Sequence, residues 1–357
     1  MFKTRFKIGN KWIGEGEPCF IVAEMSANHC QNYQKAVAII KAAKAAGADA
    51  IKLQTYTPDT LTIQSDKKWF QVAGKDNPKS WKKQTFYDLY QKAYMPWDWQ
   101  PKLQQLAHKL GLIFISTPYD PIAVDFLETL KVPAYKIASY ECIDIPLLGY
   151  IARTKKPVIM SVGFATLSEI ELSVKTLRTH GTKSLALLHC LTSYQKDGKP
   201  QFTNLRTMLD LSHRLNCLTG FSDNMGGIDI PVLAAATGAS IIEKHLIDKH
   251  TPKALDDQFS LDVKEFEAMV DRIRWQEQVL GTVKYGPQTP EEKANLQFRR
   301  SLFVIKNIAK GEKFTSINVR SIRPGYGLAP RFLDRVIGKT ATKSITAGTP
   351  LTHKLFN

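Results

Sequence analysis

The chain has 357 residues, 43% hydrophobic and 23% charged, which is enough for one large core and a small second one. Its formal net charge is +16, yet the lysines and arginines run along the whole chain without forming one patch, and no nucleic-acid motif accompanies them. A surface that attracts small anions accounts for the charge, and nucleic acid is not expected as a partner.

No window approaches the ~18 uninterrupted apolar residues of a membrane helix. The opening MFKTRFKIGNKWIGEGEPCF has no apolar run after its basic residues, so no signal peptide is read there. Cys19, Cys30, Cys142, Cys190 and Cys217 lie scattered, without paired spacing. A reduced, cytoplasmic protein without a zinc motif and without a membrane partner is expected.

From residue 20 to about 280, short apolar runs alternate with amphipathic helical segments. In chain order the predicted strands are FIVAEM (20–25), AIKLQTY (50–56), LIFIST (112–117), AYKIAS (134–139), PVIMSV (157–162), SLALLHC (184–190), CLTGFS (217–222) and ASIIEKH (239–245). The segment YQKAVAIIKAAKAAGAD shows the intervening pattern, with Val37, Ile40, Ala43 and Ala46 on one stripe and Gly47 as the C-cap. Eight strands alternating with helices predict an α/β fold, a TIM (β/α)8 barrel. The competing doubly wound sheet more often carries a Gly-rich fingerprint after its first strand, and none is present.

Residues 57–96 form a long insertion after the second strand, with Trp69, Trp81, Phe86 and Tyr87; it reads as a partly helical excursion over one barrel end, a candidate lid. After Gly281 the texture changes. The predicted organisation is a barrel over 1–283, a polar linker over 284–297 and a small, mostly β domain over 298–357. That domain carries a weak internal repeat, IAKGEKFT against ITAGTPLT.

Catalytic groups of such barrels project from the carboxyl ends of the strands. Those ends supply Glu24, Lys52 with Gln54, Ser116 with Thr117, Lys136 with Ser139, Ser161, His189, Ser222 with Asp223, and Glu243 with His245. Strand ends are generally polar because they approach water, but a ring with two lysines, two glutamates and two histidines predicts a mixed-charge pocket with perturbed pKa values. Lys52 and Lys136, with hydroxyls from Ser139 and Ser161, suit a small phosphorylated or carboxylated anion. A lysine forming a Schiff base with a carbonyl substrate remains the alternative.

The ordered motifs IVAEMSANH, GADAIKLQTYTPDT, FISTPYD, YKIASYECIDIPLL, PVIMSVG, LLHC, GFSDN and IIEKH resemble those of the sialic acid synthase family. The tail RRSLFV…KGEKFT…SIRPGYGLAP…GKTATKSITAGTPL resembles that family's antifreeze-like (SAF) domain. Within the family, KLQTYTPDTLT and RSIRPGYGLAP look most like the branch that makes pseudaminic acid. The resemblance implies a condensation of phosphoenolpyruvate with the open-chain aldehyde of an N-acetylated amino sugar, giving a nine-carbon 2-keto acid and phosphate. On the pseudaminic branch the sugar is 2,4-diacetamido-2,4,6-trideoxy-altrose. The alternatives are an N-acetylneuraminate or legionaminate synthase using a mannosamine-type sugar, or a non-catalytic carbohydrate-binding relative.

Carried over by position, the resemblance implies that Lys52, Lys136, Ser139, Ser161 and Ser222 hold the carboxylate and phosphate. Gln54, Tyr194 and Asp256 would contact the sugar, with Thr117 and Thr192 nearby. Glu24 would act as base or electrostatic stabiliser, and Glu141 and Glu243 would orient neighbours. Arg323 would reach from the SAF domain into a partner subunit, which implies a domain-swapped homodimer. The family usually binds a divalent cation, manganese more than magnesium, through two histidines. Here His245 matches the second, and Asn224 stands in place of the first, a weaker ligand than imidazole. Cys30 also departs from the usual residue.

Overall fold

The computed structural model describes residues 2–73, 77–195 and 199–357. The chain divides into two compact units, Met1–Gly281 and Thr282–Asn357. The first begins with an antiparallel hairpin, β1 (Arg5–Ile8) and β2 (Lys11–Gly14). Its turn is Gly9-Asn10, and Gly9 adopts φ 58°, which this two-residue connection needs. The hairpin buries Phe6, Ile8 and Ile13 in the same cluster as Val22, Ala50, Ile159, Ala186 and Ile241. These apolar side chains close the amino-terminal end of the barrel interior.

The eight strands expected from the sequence are all present. They are β3 (Phe20–Glu24), β4 (Ala50–Thr55), β5 (Ile113–Pro118), β6 (Tyr135–Ile137), β7 (Val158–Ser161), β8 (Leu185–Gln195), β9 (Leu218–Met225) and β10 (Ile241–His245). All neighbours pair in parallel, and β10 closes on β3 to complete the barrel. β4 shows how the period-2 pattern sorts side chains. Ile51 and Leu53 pack with the helices in the outer core, Ala50 packs in the barrel interior, and Lys52 and Gln54 follow Ala50 on the inward face, toward the carboxyl end.

Two strands run further than the sequence suggested: β8 passes Cys190 to reach Gln195, and β9 continues to Met225. Hydrogen bonding carries them on, because Leu191 pairs with Asp223 and, past an irregularity, Gln195 pairs with Met225. The helix Tyr33–Ala45 is capped by Ala46, and Gly47, one residue later, makes the left-handed turn at φ 79°. On the outer side of β9 and β10, Lys244 and Asp223 form a fully buried ion pair at 2.7 Å, and Lys244 also reaches the Met225 carbonyl. Removing one partner of such a pair costs about 3–5 kcal/mol, because the other is left charged and buried. The pair pins the two strand ends that carry Ser222, Asn224, Glu243 and His245.

The second unit contains a two-stranded antiparallel sheet, β11 (Ser301–Val304) and β12 (Val319–Ile322). Its core comprises Leu302, Val304, Ile308, Phe314, Val319, Val336, Ala341, Ile345, Leu351 and Leu355. The internal repeat has a structural meaning here. Ile308 and Ile345 exchange backbone hydrogen bonds of 2.9 and 2.8 Å. Gly311 and Gly348 adopt matching left-handed turns at φ 82° and 83°. Phe314 and Leu351, three residues on in each copy, are both fully buried.

Candidate active site

At the carboxyl ends of the strands, the inward side chains meet in a cavity of about 580 Å³. Register brings them together: Glu24 lies opposite Lys52 across β3 and β4, His245 opposite Glu24, and Glu243 opposite Ser222. Lys52 Nζ sits 2.6 Å from Glu24 Oε2 and 3.5 Å from Glu243 Oε1. Lys136 Nζ lies 3.5 Å from the same Glu243 oxygen and donates to Ser161 Oγ at 2.8 Å. Ser222 Oγ donates to Glu243 Oε1 at 3.0 Å. Gln54 Nε2 donates to Glu24 Oε1 and to Ser26 Oγ, both at 3.0 Å.

Burial and neighbours set the charge states. Burial opposes ionisation of Glu243, but Lys136 and Lys52 outweigh it and hold the carboxyl below its ordinary range. Glu24 moves the other way, because burial, aided by the charge of Glu243, exceeds the pull of Lys52. Burial disfavours the Lys52 ammonium, yet Glu24 and Glu243 more than compensate and raise its pKa. Lys136 is lowered, chiefly by burial. Glu141 is pushed up to about 7, again by burial, and its Oε2 has no hydrogen-bond partner. The floor is therefore a lysine–glutamate network that an anionic ligand can reorganise.

Most residues expected from the sequence line this one cavity: Glu24, Lys52, Gln54, Lys136, Ser139, Glu141, Ser161, Tyr194, Ser222, Asn224, Glu243, His245 and Asp256. Thr117 stands just behind, accepting from Lys52 Nζ at 3.4 Å. Thr192 does not line the cavity; a Cβ on Gly163 would meet its methyl at 2.7 Å. The irregularity in β8 rotates the chain so that Tyr194, at φ 34°, takes the cavity position. His189 and Ser116 leave the expected ring. Their side chains point to the outer layer, His189 to the Thr203 carbonyl at 2.6 Å and Ser116 to Thr55 Oγ1 at 2.6 Å. Asp223 likewise turns outward to Lys244. Arg323 belongs to the second unit, where it follows β12 and is exposed.

The sequence reading did not count Ser26, Tyr56, Tyr119, Tyr140 or Cys190 as site residues, and they also line the cavity. The three tyrosines had a common signal: QTY, TPY and ASY each place a tyrosine just beyond a strand's polar end. The insertion contributes as well. Trp81 and Phe86 line the cavity, whereas Trp69 is 72% exposed and Tyr87 hydrogen-bonds Asp59 at 3.1 Å.

His245 suits a metal ligand. Burial, with Lys52 adding to it, lowers its pKa to about 3, so the ring is neutral, and its buried Nδ1 has no partner. Asn224 directs its amide nitrogen to Cys190 Sγ (3.2 Å) and the Leu191 carbonyl (3.4 Å), which leaves the amide oxygen as the donor. One imidazole nitrogen and one amide oxygen fit a divalent cation completed by substrate oxygens and water. Outside the cavity, His250, Asp262 and Glu265 come close enough to share an ion. Asp262 and Glu265 are already engaged there in capping the helix Val263–Leu280.

Comparison with known proteins agrees with this geometry. Residues 39–285 match the NeuB family and residues 299–356 the SAF domain. The pseudaminic acid synthase of Campylobacter jejuni (serotype O:23/36, strain 81-176) is 40% identical over 98% of this chain and 99% of its own length. That of Helicobacter pylori (strain 26695) is 40% identical over 94% and 97%. Among solved structures, the N-acetylneuraminic acid synthetase of Leptospira borgpetersenii superposes with a TM-score of 0.71 at 30% identity, covering 82% of this chain and 95% of the other. The barrel with its ring of lysines and glutamates, the SAF domain that follows it in the chain and 40% identity over nearly the full length place this chain in the NeuB family.

Proposed function

We propose that this protein is a pseudaminic acid synthase, an enzyme that joins phosphoenolpyruvate, 2,4-diacetamido-2,4,6-trideoxy-altrose in its aldehyde form and water into a nine-carbon 2-keto acid with release of phosphate. The carrying observation is Lys52 and Lys136, each 3.5 Å from one Glu243 oxygen on the buried floor of the cavity. Identity of 40% to pseudaminic acid synthases over nearly the whole chain supports the choice of sugar.

In this reading, the phosphate and carboxylate of phosphoenolpyruvate take the two ammonium groups, with Ser139, Ser161 and Ser222 donating. Drawing Lys52 away from Glu24 leaves that carboxylate beside the reacting carbons. When the enol methylene attacks the aldehyde, positive charge develops on the former enol carbon. Glu24 stabilises that charge and takes the proton of the water that adds there, a proton that passes on to the alkoxide formed from the aldehyde oxygen. Glu243 keeps both lysines aligned, and phosphate departs by carbon–oxygen cleavage. Gln54, Tyr194 and Asp256 orient the sugar. A divalent cation, manganese or magnesium, held by His245 and Asn224 would polarise the aldehyde oxygen as a Lewis acid. Arg323 of a second copy would bind the sugar's acyl amine, making the working unit a domain-swapped homodimer.

Phosphate release should require both substrates and fall at least about a thousandfold in Lys136→Ala, as loss of preorganised charge stabilisation does. Arg323→Ala should raise the sugar's KM and leave that of phosphoenolpyruvate unchanged. Wild-type preference for N-acetylmannosamine would overturn the sugar assignment. Borohydride trapping of an adduct on Lys52 or Lys136 would overturn the mechanism in favour of a Schiff base.

A further inference from the structure

The cavity has two unlike surfaces. Among the described lining residues, every charged side chain comes from the barrel strands and the loops that follow them; the roof, supplied by the 57–96 insertion, carries none. The roof presents Leu61, Val72, Trp81, Phe86, Leu89 and Tyr90, with the polar Asn77 at one edge donating its amide nitrogen to the Ala73 carbonyl. Phe86 and Tyr90 stack with centroids 6.0 Å apart, Tyr90 meets the edge of Tyr56 at 5.8 Å, and Tyr56 meets that of Tyr119 at 5.1 Å. On the opposite side Trp81 packs on Tyr194 at 5.2 Å and donates from Nε1 to the Leu255 carbonyl at 3.1 Å. The insertion is thus anchored to the barrel on two flanks of the cavity.

We propose that this roof is the specificity-determining surface of the enzyme, receiving the methyl groups on the distal carbons of the amino sugar. The inference rests on the proposed reaction, in which the aldehyde end must face the charged floor beside phosphoenolpyruvate. The far end of the sugar then meets Val72, Phe86 and Leu89. An acyl methyl or a deoxygenated terminal carbon gains there by leaving water. A free hydroxyl set against Val72, Phe86 and Leu89 loses its water without finding a partner in those aliphatic and phenyl groups. The roof therefore selects a deoxy, N-acylated sugar over a hydroxylated one by roughly tenfold per methyl group.

The test uses the full-length chain with Val72→Thr, which keeps the shape and adds a hydroxyl, and Phe86→Leu, which shortens the roof. Values of kcat/KM are compared for 2,4-diacetamido-2,4,6-trideoxy-altrose and N-acetylmannosamine, with the KM of phosphoenolpyruvate and the melting temperature as controls. The expected result is a fall of about tenfold in the ratio of the two sugars' kcat/KM in each variant, with the phosphoenolpyruvate KM within about twofold of wild type. If both sugars decline together, or the phosphoenolpyruvate KM moves equally, the roof is only structural and this inference falls while the proposed reaction stands. If the wild type already prefers N-acetylmannosamine, or turns over neither sugar, the proposed function and the inference fall together.

Discussion

Glu141 illustrates how one buried carboxyl registers in the stability of the whole chain. Its pKa rises from an ordinary 4.5 to about 7, first because of burial, and Lys136 and Lys52 offset only part of that. The native state holds this proton more tightly than the unfolded chain does. Its contribution is therefore complete below the unfolded pKa and is lost as pH climbs through the folded one. Glu141→Gln, neutral at every pH, should match wild type near about pH 4 and exceed it by about 1–3 kcal/mol near about pH 8. Parallel pH–stability curves from denaturant melts would contradict this burial. Asn224 poses the complementary case, the proposed ligand position being filled by a weaker donor than imidazole. Asn224→His should tighten manganese binding by about tenfold in calorimetry, as imidazole replaces an amide oxygen. Unchanged affinity would show that position 224 does not ligate.

At the scale of elements, the critical contact is where β9 runs beside β10. A Cβ on Gly220 would stand 2.3 Å from the Ile241 carbonyl oxygen and 2.8 Å from Leu188 Cδ2. Gly220→Ala should therefore lower stability by at least about 2 kcal/mol in thermal melts, since neither backbone can yield; an unshifted melting temperature would refute the close approach. The eight strands were legible because each alternates a helix-facing apolar residue with an inward one, as Ile51, Lys52, Leu53 and Gln54 do. The C-terminal repeat was legible for a similar reason, since identical turn glycines need identical local structure. The hairpin β1–β2 was overlooked although Gly9-Asn10 between two alternating runs signals it. His189 and Ser116 misled because a strand-end polar residue can face either side, and the sequence reading took all of them as inward. Thr192 misled because no local pattern announces the irregularity between Leu191 and Gln195.

Over the whole molecule, the hairpin that fills the amino-terminal end with Phe6, Ile8 and Ile13 has a kinetic consequence. With that end sealed, the barrel works like a tube stoppered at one end, loaded and emptied from the other. Whatever enters first lies deepest and must leave last. In the proposed reaction, phosphoenolpyruvate taken on the lysine floor would then be the leading substrate, and phosphate, formed beneath the nine-carbon acid, the trailing product. Leading substrate and trailing product compete for the same empty enzyme, so phosphate should inhibit competitively against phosphoenolpyruvate and noncompetitively against the sugar. Initial-rate measurements that gave the opposite pattern would require a second exit. A stopper at the base of a barrel thus dictates the queue at its mouth.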